Sequence, residues 1–110
     1  LYNDGIKSLV QLLKDSGYQV FQDVARPSTP YPYLVYSFVS DKAVRRSNAV
    51  LEHHHLYQLS LFTEHDADDL VALTNVLDDH GVLYEPWASQ AANENDDVIT
   101  NFYTYITVLG

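Results

Sequence analysis

Ile6, Leu9, Val10 and Leu13 recur at the i, i+3, i+4, i+7 spacing of one helical face, while Lys7, Ser8, Gln11, Lys14 and Asp15 point elsewhere, and this predicts a first helix. Asn3 or Asp4 is placed to cap its start and Gly17 to end it. After Gly17, Tyr18-Gln19-Val20-Phe21 alternates as a short strand does. Arg26 to Pro32 then holds three prolines, which remove amide donors and fix φ, so that stretch reads as an extended connector. Tyr33 to Val39 and Leu56 to Thr63 are rich in aromatic and β-branched residues and read as strands. The polar stretch between them carries Lys42, Arg45 and Arg46. The simplest connection is a long hairpin whose arm or tip bears this basic cluster.

Thr63-Glu64-His65-Asp66 supplies caps and first-turn acids for a second helix, with Ala67, Leu70, Leu73, Thr74 and Leu77 as its inner stripe and Gly81 as its left-handed cap. Val82 to Glu85 reads as a short strand ending at Pro86, and Ala88 to Asp97 as a polar loop without apolar periodicity. From Val98 to Leu109 the chain is extended again. Thr100, Phe102, Thr104, Ile106 and Val108 share one face, and Asn101, Tyr103, Tyr105, Thr107 and Leu109 the other. The elements add up to an α+β fold in one domain, residues 1–110: a mainly antiparallel sheet of four to five strands, flanked by two helices, with a long basic β-hairpin.

Neither row of the last strand is plainly polar, although a sheet with helices on one side normally shows water a polar row. Tyr36, Leu56 and Phe62 repeat the pattern on the neighbouring strands. Tyrosine is favoured at interfaces because it buries area at low rotamer cost and keeps a hydroxyl. Two readings stand: the second face packs on another subunit, with Tyr36, Phe62, Tyr103 and Tyr105 as interface candidates whichever register holds, or the helices and the proline connector cover both faces within one chain.

Charge sharpens the first reading. All six basic residues, Lys7, Lys14, Arg26, Lys42, Arg45 and Arg46, precede Ser47, where they face four acids; the rest of the chain holds eleven carboxylates and no lysine or arginine, and the net charge is −9. A chain divided this way has a reason for oriented association with copies of itself or a partner, because contacts between two acidic parts are penalised; the other reading is that the acidic surface serves solubility alone. So acidic a chain is not expected to grip nucleic acid over a large surface. With no cysteine there is no disulfide framework and no thiol nucleophile. No apolar run approaches the roughly 18 residues of a membrane span, and Leu1 to Gly5 lacks the order of a signal peptide, so the chain is expected to be soluble and intracellular.

The sequence offers little chemistry. In Glu52-His53-His54-His55, His53 and His55 share a strand face about 7 Å apart, a spacing at which two imidazoles chelate one metal if a third ligand approaches. Local spacing fixes no third ligand, and no metal is expected. Asp66, Asp68 and Asp69, followed by Asp78 and Asp79, fail as a calcium loop, because Leu70 takes a ligand position and the required glycine and bidentate glutamate are missing. Glu94, Asp96 and Asp97 read as solvated loop charge. The serine elbow and the clustered glycines of a phosphate loop are both missing, since Gly5, Gly17, Gly81 and Gly110 stand far apart. The expectation is a protein that is not an enzyme and has no cofactor.

The order of pieces carries one more signal. A first helix, Gly17-Tyr18-Gln19-Val20-Phe21, Pro30-Tyr31-Pro32-Tyr33-Leu34-Val35-Tyr36, Tyr57-Gln58-Leu59-Ser60-Leu61-Phe62-Thr63, a helix ending in Gly81-Val82, and Phe102-Tyr103-Thr104-Tyr105-Ile106 follow one another over nearly the whole chain. This arrangement resembles the small tail-completion or tail-terminator proteins (head-tail joining, minor tail proteins) of long-tailed bacteriophages. The resemblance implies an α+β subunit of a homo-oligomeric ring, commonly a hexamer, at the head-proximal end of the virion tail after assembly in the host cytoplasm. Its partners are the tail tube protein and the head-tail connector, DNA passes through without being gripped, and there are no catalytic residues to carry over. A closed ring uses a heterologous contact, one patch meeting a different patch of the next copy. Arg45 and Arg46 against the acids of the second half form such a contact. The competing expectations are a small cytoplasmic ligand-binding or regulatory module of the ferredoxin-like superfold, and a metal-dependent enzyme built on His53 and His55.

Overall fold

Both helices of the computed structural model, which describes residues 1–64, 67–94 and 97–110, stop on a glycine with positive φ. Helix α1 (Gly5–Asp15) ends at Gly17, φ 97°, and α2 (Ala67–Asp79) at Gly81, φ 67°. In each case the next amide returns to a carbonyl five residues back: Tyr18 donates to Leu13 at 3.2 Å and Val82 to Leu77 at 2.9 Å, while the glycine amides reach Lys14 and Asp78. These paired bonds satisfy carbonyls a helix end leaves open, and glycine makes the left-handed turn without a Cβ clash. The helix starts depart from expectation. Asp4 occupies the N-cap of α1 without a side-chain cap hydrogen bond. Thr63 ends a strand instead of opening α2, and its hydroxyl donates to the Asp69 carboxylate in the first turn of that helix. His65 and Asp66 lie outside the described residues.

The strands are β1 (Val20–Gln22), β2 (Tyr33–Arg46), β3 (Ala49–Thr63), β4 (Ala88–Glu94) and β5 (Asp97–Leu109). They form one mixed sheet in the order β1-β2-β3-β5-β4, with β1 parallel to β2 and the other three pairings antiparallel. The fold is α+β, two helices and five strands among the described residues. Pro27, Pro30 and Pro32 deny the connector a ladder of its own, so the chain crosses back before β2 begins and the first pair runs parallel. The element order also differs from the βαββαβ order of the ferredoxin-like superfold.

Two stretches differ from the sequence expectation. Val82 to Glu85 forms no strand; Val82 takes part in the helix-ending motif, and Glu85 alone meets β5 among the hydrogen bonds of the described residues, its amide donating to Tyr105 at 3.1 Å and its carbonyl accepting from the Thr104 hydroxyl. Where a loop is expected from Ala88 to Asp97, Ala88 to Glu94 is a strand paired with Asp97 to Tyr103, and Asn95 and Asp96 lie outside the described residues. Its alanines, serine and glutamine carry no apolar alternation, and the backbone ladder to β5 holds it in place. Tyr2 extends that edge by exchanging bonds with Thr107 and Leu109, both 2.8 Å.

The register lines up Leu34, Leu61 and Phe102 across β2, β3 and β5, then Tyr36, Leu59 and Thr104. This row meets Leu9 and Leu13 of α1, Leu73 and Leu77 of α2, and Val82, Ile106 and Val108 in one core. Both helices therefore cover the same face. Each fully buried aliphatic side chain there stabilises the fold by about 1.5–3 kcal/mol relative to exposure.

Candidate interaction surfaces

Strand length positions the first surface. On β3, pairing with β5 ends at His54 opposite Leu109, followed by a bond from the Gly110 amide to the His53 carbonyl at 2.9 Å, while β1 leaves β2 at Tyr36. From there outward β2 and β3 have only each other, as far as Arg46 opposite Ala49. Ser47 and Asn48 close the ribbon with φ 50° and 66°, the paired positive values of a type I′ turn, whose twist suits a hairpin. The arm leaves the molecule 54 Å long and 22 to 25 Å across, with a radius of gyration of 15.0 Å against about 13 Å for a compact chain of this size.

The arm bears Lys42 and Arg45, both exposed. Arg46 ends β2; its side chain lies outside the described residues. Sequence reading missed the apolar part of this surface: Phe38 is 51% exposed, Val39 46%, Val50 46% and Leu51 54%. Val50-Leu51, directly after the basic cluster, was the signal. A lone two-stranded ribbon is marginally stable in water, and this one places large apolar groups in it.

At the root of the arm stands a clamp. Asp41 on β2 lies opposite His55 on β3, and its carboxylate meets His55 Nε2 at 2.9 Å and His53 Nδ1 at 3.0 Å. The hydrogen bond from His53, reinforced by the charges of both imidazoles, holds the Asp41 carboxyl below the usual carboxylate range against a smaller desolvation effect. His54 turns to the opposite face and meets Glu52 at 2.7 Å. The His55 ring also stands edge-on to Phe38, centroids 5.4 Å apart, and packs so closely on Gly110 that a Cβ there would come within 2.5 Å of Nε2. His53 and His55 thus share a face, and the group between them comes from twelve residues upstream of His53, which no local spacing could have named. Among the described residues no three His, Cys, Asp or Glu side chains are arranged to hold a metal ion. Asp96 lies outside the described residues, as do the side chains of Glu94 and Asp97.

The second sheet face divides. Near β1 it is closed by its own aromatic groups: Tyr31 of the connector stacks on Tyr33 at 5.6 Å, Tyr33 on Phe62 at 5.0 Å, and Phe21 meets Tyr33 edge-on at 6.2 Å. Tyr33 is 3% exposed as a result. Phe62 is part of this stack. Tyr103 and Tyr105 lie farther along the same face, half-buried, beside Leu56, Gln58 and Thr107. Tyr36 belongs to the helix-covered face, its ring 6.0 Å from that of Tyr57. Of the four aromatic interface candidates, Tyr103 and Tyr105 lie together at the open part of this face.

Acids complete the picture. Asp68, Asp78 and Asp79 of α2, with Glu64 and Glu85 beside it, are exposed on the side of the chain that has no lysine or arginine. No helix among the described residues is long and apolar enough to cross a membrane. The chain matches no protein-family model and no curated protein.

Proposed function

We propose that this chain is a structural virion protein, a phage tail terminator or completion protein that forms a ring at the head-proximal end of the tail and docks to the head-tail connector. It works by docking and not by catalysis. In this reading β2 and β3 form a long basic hairpin, the tail tube protein and connector are its partners, and DNA passes an acidic surface without adhering. The observation that carries the reading is the arm: a ribbon with cations and exposed apolar side chains, paired with no other strand among the described residues, attached to a fold whose net charge is acidic. Such a device has its use in a contact between different patches of neighbouring copies, the kind that closes a ring. The order of sequence pieces shared with tail terminators supplies the choice of assembly.

Light scattering across protein and salt concentration tests it, alone and with purified tails that lack a terminator. Rings, in solution or on the tail tip, are the expected result. A chain that stays monomeric and leaves such tails uncapped contradicts the proposal.

A further inference from the structure

The arm needs an acceptor, since beyond the ends of β1 and β5 its two strands pair only with each other among the described residues and leave Val50 and Leu51 about half exposed. Arg45 and Val50 are opposite partners and share one face of the ribbon, with Leu51 beside them. The acceptor must therefore combine exposed apolar surface with negative charge.

One face of α2 does so. Asp68, Val71, Ala72, Asn75 and Asp79 fall within one stripe at helical spacing, opposite the buried Leu73 and Leu77, and all five are exposed. Val71, 54% exposed, is its apolar centre, with a carboxylate toward each end. From Asp68 to Asp79 the stripe runs about 16 Å. From His53 to Ala49 the arm extends through a comparable length, roughly 13–17 Å. Charge, apolar character and length match.

We infer that the arm of one copy lies along the outer face of α2 of the next, Val50 and Leu51 against Val71, with Arg45 facing the carboxylates of Asp68 or Asp79. This rests on the ring reading and names its contact. The two patches differ, so each copy gives an arm and receives one, and the contact propagates around a ring.

The chain has no cysteine, which makes the contact directly testable. Val50→Cys and Val71→Cys are made singly and together, each variant is checked for parental sedimentation, and all are exposed to a mild oxidant. The double variant is expected to give a ladder of disulfide-linked dimers, trimers and higher species on a non-reducing gel, while each single variant stops at dimers. If the double variant associates as the parent does yet yields nothing beyond dimers, the arm docks elsewhere and the inference falls while the ring reading stands. If parent and variants are monomeric at every concentration, give no ladder and leave terminator-free tails uncapped, both fall.

Discussion

Strand β3 is two strands in one. Its second half, from Leu59 to Thr63, lies between β2 and β5 and under both helices; Leu59 is 2% exposed and Leu61 and Thr63 are fully buried. Its first half, from Ala49 to His53, has β2 on one side only and leaves Val50 and Leu51 about half exposed. The ladder to β2 runs through both, and the body half has a second ladder to β5 that the arm half lacks. Burial follows the same division. The body half holds itself, while the arm half has its apolar groups still to bury, and function is to be sought where folding is incomplete.

Core truncation should separate the halves most widely. Leu61→Ala is expected to cost about 2–5 kcal/mol of stability in urea unfolding, from lost transfer energy and the cavity left behind. Leu51→Ala should change that stability by less than about 0.5 kcal/mol, because an exposed site is vacated, and should reduce association instead. Equal effects of the two on unfolding would dissolve the distinction. Next comes backbone conformation. Gly81→Ala meets no atom within 4 Å, so its expected cost of about 1 kcal/mol arises from φ 67° alone. At the arm tip the same logic runs in reverse. Replacing Ser47-Asn48 by Asn-Gly suits a type I′ turn better and should raise amide protection in the arm without moving the unfolding midpoint of the body.

How much of this was legible follows from the range of each interaction. The helices were read correctly between their caps because Leu9, Leu13, Leu73 and Leu77 repeat locally, and the glycine stops because a left-handed turn follows from one residue type. β4 was missed since Ala-Ser-Gln-Ala-Ala has no apolar period, and Val82 was given to a strand although a helix end claimed it. Asp41 escaped for another reason. Its partnership with His53 and His55 exists only in the cross-strand register, and no neighbour in sequence announces it. Residue type names Tyr36, Phe62, Tyr103 and Tyr105 as interface candidates without assigning faces, and register puts Tyr36 under the helices while Phe62 joins the Tyr33 stack.

Smaller effects probe the arm itself. Arg45→Glu with Arg46→Glu should weaken association roughly tenfold at low ionic strength and less in high salt, where the field of the acidic half is screened; an unchanged sedimentation profile would remove charge from the account. The clamp predicts an acid limb. Because His53 and His55 lower the carboxyl pKa of Asp41 in the folded state, the clamp contributes fully above the unfolded-state value and is lost as pH falls through the lowered one. An NMR titration of the Asp41 carboxyl should therefore show a midpoint below that of an ordinary aspartate. His53→Ala should raise it more than His55→Ala, since the His53 hydrogen bond is the largest cause. A midpoint indifferent to both histidines would leave the arm root unclamped.

The most direct measurement removes the arm and keeps the body. Residues 45–51 are replaced by Asn-Gly, so that Val44 and Glu52, opposite partners in the ladder, join through a tight turn, and the shortened and parent chains are compared by unfolding and by sedimentation over the same concentrations, and for capping of terminator-free tails. The account predicts an unfolding midpoint close to the parent's, together with loss of association and capping. Assembly and capping that persist without the arm, or a body that no longer folds, would contradict it.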